Sequence, residues 1–384
     1  VLGMSLMPVQ VEGILKRLGL KLQRAGSRAG TRLWKATPPS WRFDLVREVD
    51  LIEELARVNG YDKVPVHRPN TYLTMKPLPE ARVTASRLRT VLVDRDYHEA
   101  ITYSFVDPAR QAQFIPNLAA LNVTNPIAAD LAQMRTSLWP GLLQAVAYNQ
   151  NRQQARVRLF EIGRKYLVSG PGKTDEIPVI AGVATGPVVA EQWGSQSRLV
   201  DFFDVKGDVE ALLALAGFSG YEFRIAKHPA LHPGQSAEIL LPGSSIPVGA
   251  VGTISPDIQA KSGLDSSVIV FEISLLALQT AKLPKFTEIS KFPSIRRDLA
   301  LEFDAKLTSQ AVLNTARKHA GPYLINLELF DEYRGEGIDS GRKSLALGLT
   351  FQDTSRTLND RDVETAVGQV VQALTQEFGA KLRQ

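Results

Sequence analysis

Between residues 290 and 384 the apolar pattern switches between a period of two and a helical period, in an order that few folds satisfy. RDLALEFD sets Leu299, Leu301 and Phe303 on one side of an extended chain. SQAVLNTARKHAG takes helical spacing, LINLELFDEYRG returns to a strand, and the Gly-rich EGIDSGR marks a turn into the strand SLALGLTFQD. The long helix DRDVETAVGQVVQALTQEFG follows, and AKLRQ has room for a short last strand. That order is the split β-α-β-β-α-β arrangement.

The rest of the chain divides in two. Residues 1–66 read as a helix opened by Ser5 and Pro8, carrying Val11, Ile14, Leu15 and Leu18 and stopped at Gly19. A short β-ribbon and a second helix, from about Leu45 to Asn59 and closed by Gly60 and Pro65, complete a helical-plus-wing module. The Pro-rich VPVHRPNTYLTMKPLPE leads to residues 75–285. These open with a helix in ARVTASRLRTVLVDRDY and continue through strands at EAITYSF, ARVRLFEIGRKYLV, IPVIAGVAT, SAEILLP, IPVGAVGTI and SVIVFEI. Helices are expected at LWPGLLQAVAYNQNR and DFFDVKGDVEALLALAG. The expected class is therefore α+β and multidomain, with a largely antiparallel central sheet and a ferredoxin-like last domain.

Composition narrows the function classes. A chain with 44% apolar and 22% charged residues is ordinary for a globular protein. No apolar run approaches the roughly 20 residues of a membrane span, and no signal peptide opens the chain. The absence of cysteine excludes disulfides, thiolate zinc and a cysteine nucleophile, and fits a cytoplasmic location. The first residue, Val1, is the start expected of a fragment or processed product. A net charge of +5 permits a polyanionic partner without requiring one.

Charge is distributed unevenly. Asp44, Glu48, Asp50, Glu53 and Glu54 crowd into WRFDLVREVDLIEELARVNGYDKVP, behind a strongly basic stretch of 40 residues. Asp50, Glu53 and Glu54 share a helix face, and Asp44 falls where an N-cap would sit. One reading is a solvated face laced with ion pairs such as Arg47 with Asp50 and Glu53 with Arg57, each contributing about 0.2–0.5 kcal/mol. The other is an oxygen-only site for a hard cation such as Mg²⁺, whose shell this stretch cannot complete alone. Spacing leaves both open.

Other motifs dissolve on inspection. SGPGKT ends like a phosphate-binding loop, but Leu167 stands where the first glycine belongs and a strand follows. His228 and His232 have zinc-helix spacing, yet Pro229 and Pro233 forbid the helix. In the last domain Lys291, Arg296, Arg297, Arg334, Arg342 and Lys343 flank the strands. Phe292, Phe330 and Tyr333 are either base-stacking aromatics or core.

The ordered stretches PPSWRFDLVREVDLIEELARVNGYDKVP, MRTSLWPGLLQAVAYNQNR with RLFEIGRKY, VDFFDVKGDVEALL, HPALHPGQSAEILL, FPSIRRDLALEF and YRGEGIDSGRKSLALGLTFQD cover the chain end to end. Together they resemble the C-terminal half of the β subunit of bacterial-type phenylalanyl-tRNA synthetases. The resemblance implies a winged-helix-like small domain at 1–66, a class II synthetase-like, non-catalytic core at 75–285, and a ferredoxin-fold anticodon-binding domain at 290–384. It implies that Asp44, Asp50, Glu53 and Glu54 bind Mg²⁺ in a site completed by an α subunit, leaving Glu48 and Asp62 as surface charges. It implies an (αβ)₂ heterotetramer in which the α subunit holds ATP and phenylalanine, with tRNA(Phe) as the nucleic-acid partner. The tRNA-binding and editing domains of that family's N-terminal half have no counterpart in these residues.

Arg158 and Glu161 only loosely match a class II motif-2 strand, and no Gly-rich segment ends in an ATP-binding arginine, so the chain alone is expected to be non-catalytic. Arg296, Arg297 and Arg334 are the expected tRNA contacts. The competing readings are a free-standing RNA-binding or scaffold protein reusing these domains and, more remotely, a Mg²⁺-dependent hydrolase centred on the acids.

Overall fold

The computed structural model describes all residues except Ala29, Gly30, Pro69, Lys76, Leu78, Ser219, Ala281, Lys282, Thr287 and Gln384. Parts of the Pro-rich linker and the last residue of the expected final strand thus lie outside the described residues. The chain divides into two compact units, Val1–Pro77 and Leu78–Gln384.

The first unit contains α1 (Pro8–Arg17), a hairpin of β1 (Lys21–Arg28) and β2 (Thr31–Thr37), and α2 (Glu48–Asn59). Helix α1 starts at Pro8 behind Met7, not at Ser5. Proline needs no N–H partner in a first turn, and the Gln10 side chain accepts the Met7 N–H at 2.9 Å. Gly19, at φ +86°, lets the chain reverse so that Leu20 can bond back to Leu15. The core is small: Leu15, Leu20 and Leu45 are buried, with Val11, Leu22, Leu51 and Leu55 packed around them.

Helix α2 starts three residues later than its apolar spacing suggests. Leu45 is drawn into the core, and the helix opens at Arg47. Asp50 caps it, accepting N–H bonds from Arg47 at 2.6 Å and Val46 at 3.0 Å. Asp44 is therefore not the cap.

The second unit contains α3 (Ala85–Val93), β3 (His98–Glu99), β4 (Phe105–Val106), α4 (Pro108–Phe114), β5 (Gln133–Met134) and α5 (Trp139–Gln150). It continues through β6 (Val157–Gly170), β7 (Lys173–Thr185), α6 (Phe202–Leu215), β8 (Glu222–Ile225), β9 (Leu231–Leu240), β10 (Gly249–Ile254), α7 (Pro256–Lys261), β11 (Val268–Ser274) and α8 (Leu275–Gln279). Its main sheet runs β3-β6-β7-β11-β10-β9-β8, antiparallel throughout except for the short β3–β6 pair.

One sheet face carries Phe160, Ile180, Ile239, Val251, Phe271 and Ile273 against α3 and α6. The other carries Val157, Val179, Val183, Val268 and Val270 against α5. Strands buried on both faces explain the near-continuous apolar runs of β7 and β11.

EAITYSF is not one strand. The chain leaves the sheet after Ala100, whose N–H bonds Phe160 O at 2.7 Å, and Thr102 turns its N–H and hydroxyl to Glu161. The turn of SGPGKT is the tip of the β6–β7 hairpin, with Gly172 at φ +67°. His228 precedes β9 and His232 lies within it, and each Nδ1 accepts a nearby backbone N–H.

The C-terminal layer is formed by β12 (Ile295–Asp304), α9 (Ser309–His319), β13 (Leu324–Tyr333), β14 (Arg342–Phe351), α10 (Asp360–Phe378) and β15 (Lys381–Leu382). The order β13-β14-β12-β15, antiparallel at every step, is the ferredoxin-like arrangement. Leu299, Leu301, Phe303, Leu345, Leu347 and Leu349 face Val312 and Ala316 of α9 and Val363, Val370 and Leu374 of α10. Both helices thus cover one sheet face and leave the other bare.

Candidate functional site

The loop between β2 and α2 gathers the acidic stretch around one arginine. Arg42 grips Asp44 with two bonds, Nε to Oδ1 at 3.1 Å and Nη2 to Oδ2 at 2.9 Å. The same Nη2 reaches Glu54 Oε1 at 2.8 Å. Glu54 is only 8% exposed, and its other oxygen accepts from Arg57. Asp50 is held by the helix-start N–H groups and by Arg47. Glu53 points to solvent.

These contacts hold three carboxyls below their ordinary range. For Asp44 the cause is Arg42; for Glu54 it is Arg42 and then Arg57; for Asp50 it is the Arg47 and Val46 N–H groups. Arg42 is in turn pushed above its ordinary value by Asp44 and Glu54.

Carboxylate oxygens are the donors a hard divalent cation takes, so the residue types fit. Their convergence does not: among the described residues no group of three or more His, Asp or Glu side chains is placed to hold a metal ion. Trp41, Phe43 and Val46 stand 70%, 88% and 81% exposed between the acids, an apolar surface no core claims.

The bare face of the C-terminal sheet has a different character. Arg296, Asp298 and Ala300 of β12 pair with Thr350, Gly348 and Ala346 of β14, which pair in turn with Asn326, Glu328 and Asp331 of β13. The floor of this face is thus Ala300, Ala346 and Gly348. A Cβ on Gly348 would lie 2.8 Å from Arg296 Nη2, so the guanidinium lies across that glycine. It reaches within 5.3 Å of the Phe330 ring and bonds Asp298 at 2.8 Å.

A β-bulge between Leu329 and Asp331 slips the register of β13 by one residue. Tyr333 therefore pairs with Ser344 on the bare face instead of continuing the covered face of Leu327 and Leu329. There it meets Arg383, whose guanidinium lies 5.0 Å from its ring. Phe330 is 51% exposed and Tyr333 38%.

Of the expected contacts, only Arg296 lies on this aromatic face with its charge over an exposed ring. Arg297, one residue on, points to the covered side and bonds Asp360 at the start of α10 at 2.6 Å. Arg334 pairs with Glu332 at 2.7 Å beyond the end of β13. Lys343 is buried, and Arg342 donates to Glu302 O at 2.7 Å. Arg383 was missed because one basic residue near a chain end has no spacing signature.

In the middle layer, Glu161, Ala181, Glu272, Ala250, Glu238 and Arg224 align in register across six strands. Each acid in this row has its own cation. Arg135 reaches Glu161 at 2.8 Å, Lys165 reaches Glu272 at 2.8 Å, and Arg224 reaches Glu238 at 2.8 Å. Glu272 also accepts from Ser137 Oγ and Leu138 N at the N-terminus of α5, where a negative charge is favoured. Arg158 packs on the opposite face against Asp208 and the Tyr97 ring. Arg158 and Glu161, the two residues that suggested a motif-2 strand, are thus both engaged in buried pairs.

Three family models match successive stretches of the chain. Residues 1–61 match the family described as the tRNA synthetase B5 domain, residues 64–275 the Phenylalanyl tRNA synthetase beta chain CLM domain, and residues 290–383 the ferredoxin-fold anticodon binding domain. The phenylalanine–tRNA ligase beta subunit of Pseudomonas fluorescens strain Pf0-1 is 47% identical over 384 residues, covering 100% of this chain and 48% of the relative. That of Vibrio cholerae is 43% identical over 386 residues, with the same 100% and 48% coverage. The chain spans about half the length of the curated relatives it matches.

Among solved structures, the pyrrolysyl tRNA synthetase PylSc of Desulfitobacterium hafniense is 12% identical and covers 72% of this chain and 87% of its own, with a TM-score of 0.40, too low to carry a fold assignment. The family match over residues 64–275, with a B5 domain before it and an anticodon-binding domain after it, places this chain in the phenylalanyl-tRNA synthetase beta chain family.

Proposed function

We propose that this chain acts as part of the β subunit of a phenylalanine–tRNA ligase, in which ATP-dependent attachment of phenylalanine to tRNA(Phe) is carried out with an α subunit. The bare sheet face of residues 290–383 carries the reading. It has a floor of small side chains, two exposed aromatics and two arginines over their rings, within the stretch matched to an anticodon-binding domain. Stacked bases need such a platform, and the phosphates between them need cations.

The first unit would dock the α subunit through the apolar surface of Trp41, Phe43 and Val46. Asp44, Asp50, Glu53 and Glu54 would hold Mg²⁺ together with ligands from that partner. The cation would supply positive charge to these carboxylates. ATP and phenylalanine would bind the α subunit, in an (αβ)₂ assembly. The class II-like core would position that subunit without reacting itself. A cytoplasmic setting fits the absence of cysteine, and no helix among the described residues is long and apolar enough to cross a membrane.

ATP–pyrophosphate exchange tests the assignment. Exchange that needs both the chain and an α subunit is the expected result. Exchange by the chain alone overturns it, and RNA binding with no exchange under either condition favours a scaffold.

A further inference from the structure

Beside the N-terminus of α5, the main sheet leaves a cavity of about 470 Å³ that the proposed function does not use. That volume is in the range of small-molecule sites. Its floor is low because Ala250 stands between Glu272 and Glu238 in the cross-strand row. Leu167, Ile177 and Val179 of the β6–β7 hairpin give the lining an apolar part, and Lys227 and His228, from the loop between β8 and β9, give it a polar one. The histidine is preset. Trp139 Nε1 donates to Phe271 O at 3.0 Å, and the His228 ring packs edge-on to that fixed indole with centroids 5.1 Å apart. His228 Nδ1 accepts the Ala230 N–H at 3.2 Å. Burial holds the imidazole below its ordinary value, so at neutral pH the ring is uncharged and its proton sits on Nε2. That N–H has no acceptor among the described residues.

The charges around the cavity decide the sign of what it takes. Both oxygens of Glu272 are filled, one by Lys165 at 2.8 Å and the other by Ser137 Oγ and Leu138 N at 2.8 and 2.9 Å. Glu238 is paired with Arg224 at 2.8 Å. Lys227 is exposed and meets no acid among the described residues, so it is the cation left over. A ligand's ammonium would find no unpaired acid in this lining. A ligand's carboxylate finds an ammonium and a neutral N–H donor on adjacent residues. We infer that this cavity binds a small organic monoanion, a carboxylate on an apolar body. The carboxylate sits at Lys227 and the His228 Nε2–H, and the body lies over Ala250 against Leu167, Ile177 and Val179. The site is one of binding: no nucleophile in the lining is activated for reaction.

The test is calorimetric titration of the full chain with three probes that share one apolar body: cinnamate, cinnamyl alcohol and cinnamylamine. Cinnamate is expected to bind about fivefold tighter than the alcohol, with the amine weakest. Lys227→Ala, at an exposed position, should remove the preference for the acid while leaving affinity for the alcohol unchanged. Lys227→Arg should keep that preference. Ala250→Leu raises the floor and should abolish binding of acid and alcohol alike. Three probes bound equally, a preference for the acid that survives Lys227→Ala, or no binding of any probe would each overturn the inference. So would cinnamate binding that persists in Ala250→Leu with a cooperative thermal melt, because the ligand would then sit elsewhere.

Discussion

Adjacent arginines on one strand should give opposite results in RNA binding. Arg296 lies over Gly348 beside Phe330 on the bare face, whereas Arg297 bonds Asp360 on the helix-covered side. Removing a charged partner typically costs about 1.5–3 kcal/mol. Arg296 is already shared with Asp298 at 2.8 Å, so its net worth to a ligand falls below that range, to about 1 kcal/mol or roughly fivefold in affinity. Phe330→Ala removes a stacking platform worth about 1–3 kcal/mol, or roughly 5- to 150-fold. Arg297→Ala should leave affinity within about twofold, because its partners, Asp360 and the Arg296 carbonyl, are internal. The assay is fluorescence anisotropy of a labelled tRNA(Phe) anticodon stem–loop against the chain, repeated across salt concentrations. Arg296→Ala should also lower the salt slope by about 0.7–0.9, one phosphate's worth of released counterion, with no change from Arg297→Ala. Equal losses from the two substitutions, or a larger loss from Arg297→Ala, would refute the assignment of the bare face.

Gly348→Ala should mimic Arg296→Ala in the same assay, since its Cβ would meet the Arg296 guanidinium at 2.8 Å while the melting temperature stays near wild type. Arg135→Met should destabilise the second unit by about 3–5 kcal/mol in urea unfolding, because Glu161, 3% exposed, loses the guanidinium that pairs with it; adding Glu161→Met should restore much of the loss. Burial against Trp139 holds the His228 imidazole below its ordinary value of 6.5, and its Nδ1 accepts the Ala230 N–H. A base whose folded value is lowered contributes stability that is complete above 6.5 and is lost as pH falls through the lowered value. Melting temperature should therefore decline on acidification from pH 6.5, and His228→Gln should flatten that decline.

Much of the architecture was legible because it is local. The spacing of Leu299, Leu301 and Phe303 or the helical period of residues 360–378 follows from a few neighbouring residues, and periodicity reads it directly. Elements of two to seven residues, such as β3, β4, α4 and α8, escaped because they are too short for a period to show. The start of α2 was misplaced because Leu45 fits a helical pattern but is claimed by the core.

The sites were legible only as inventories. That acids cluster at residues 44–54, and that aromatics and arginines flank the last hairpin, is written in the chain. Tertiary structure decided which of them act together. A one-residue bulge at Phe330 turned Tyr333 from the covered face to the bare one, where Arg383 waits from the far edge of the sheet. Arg42 reached Glu54 across twelve positions, and Glu272 met Ser137 across 135. Spacing along the chain reports only neighbours within a turn or a pleat. Contacts closed by long loops are set by packing, and these sites are made of such contacts.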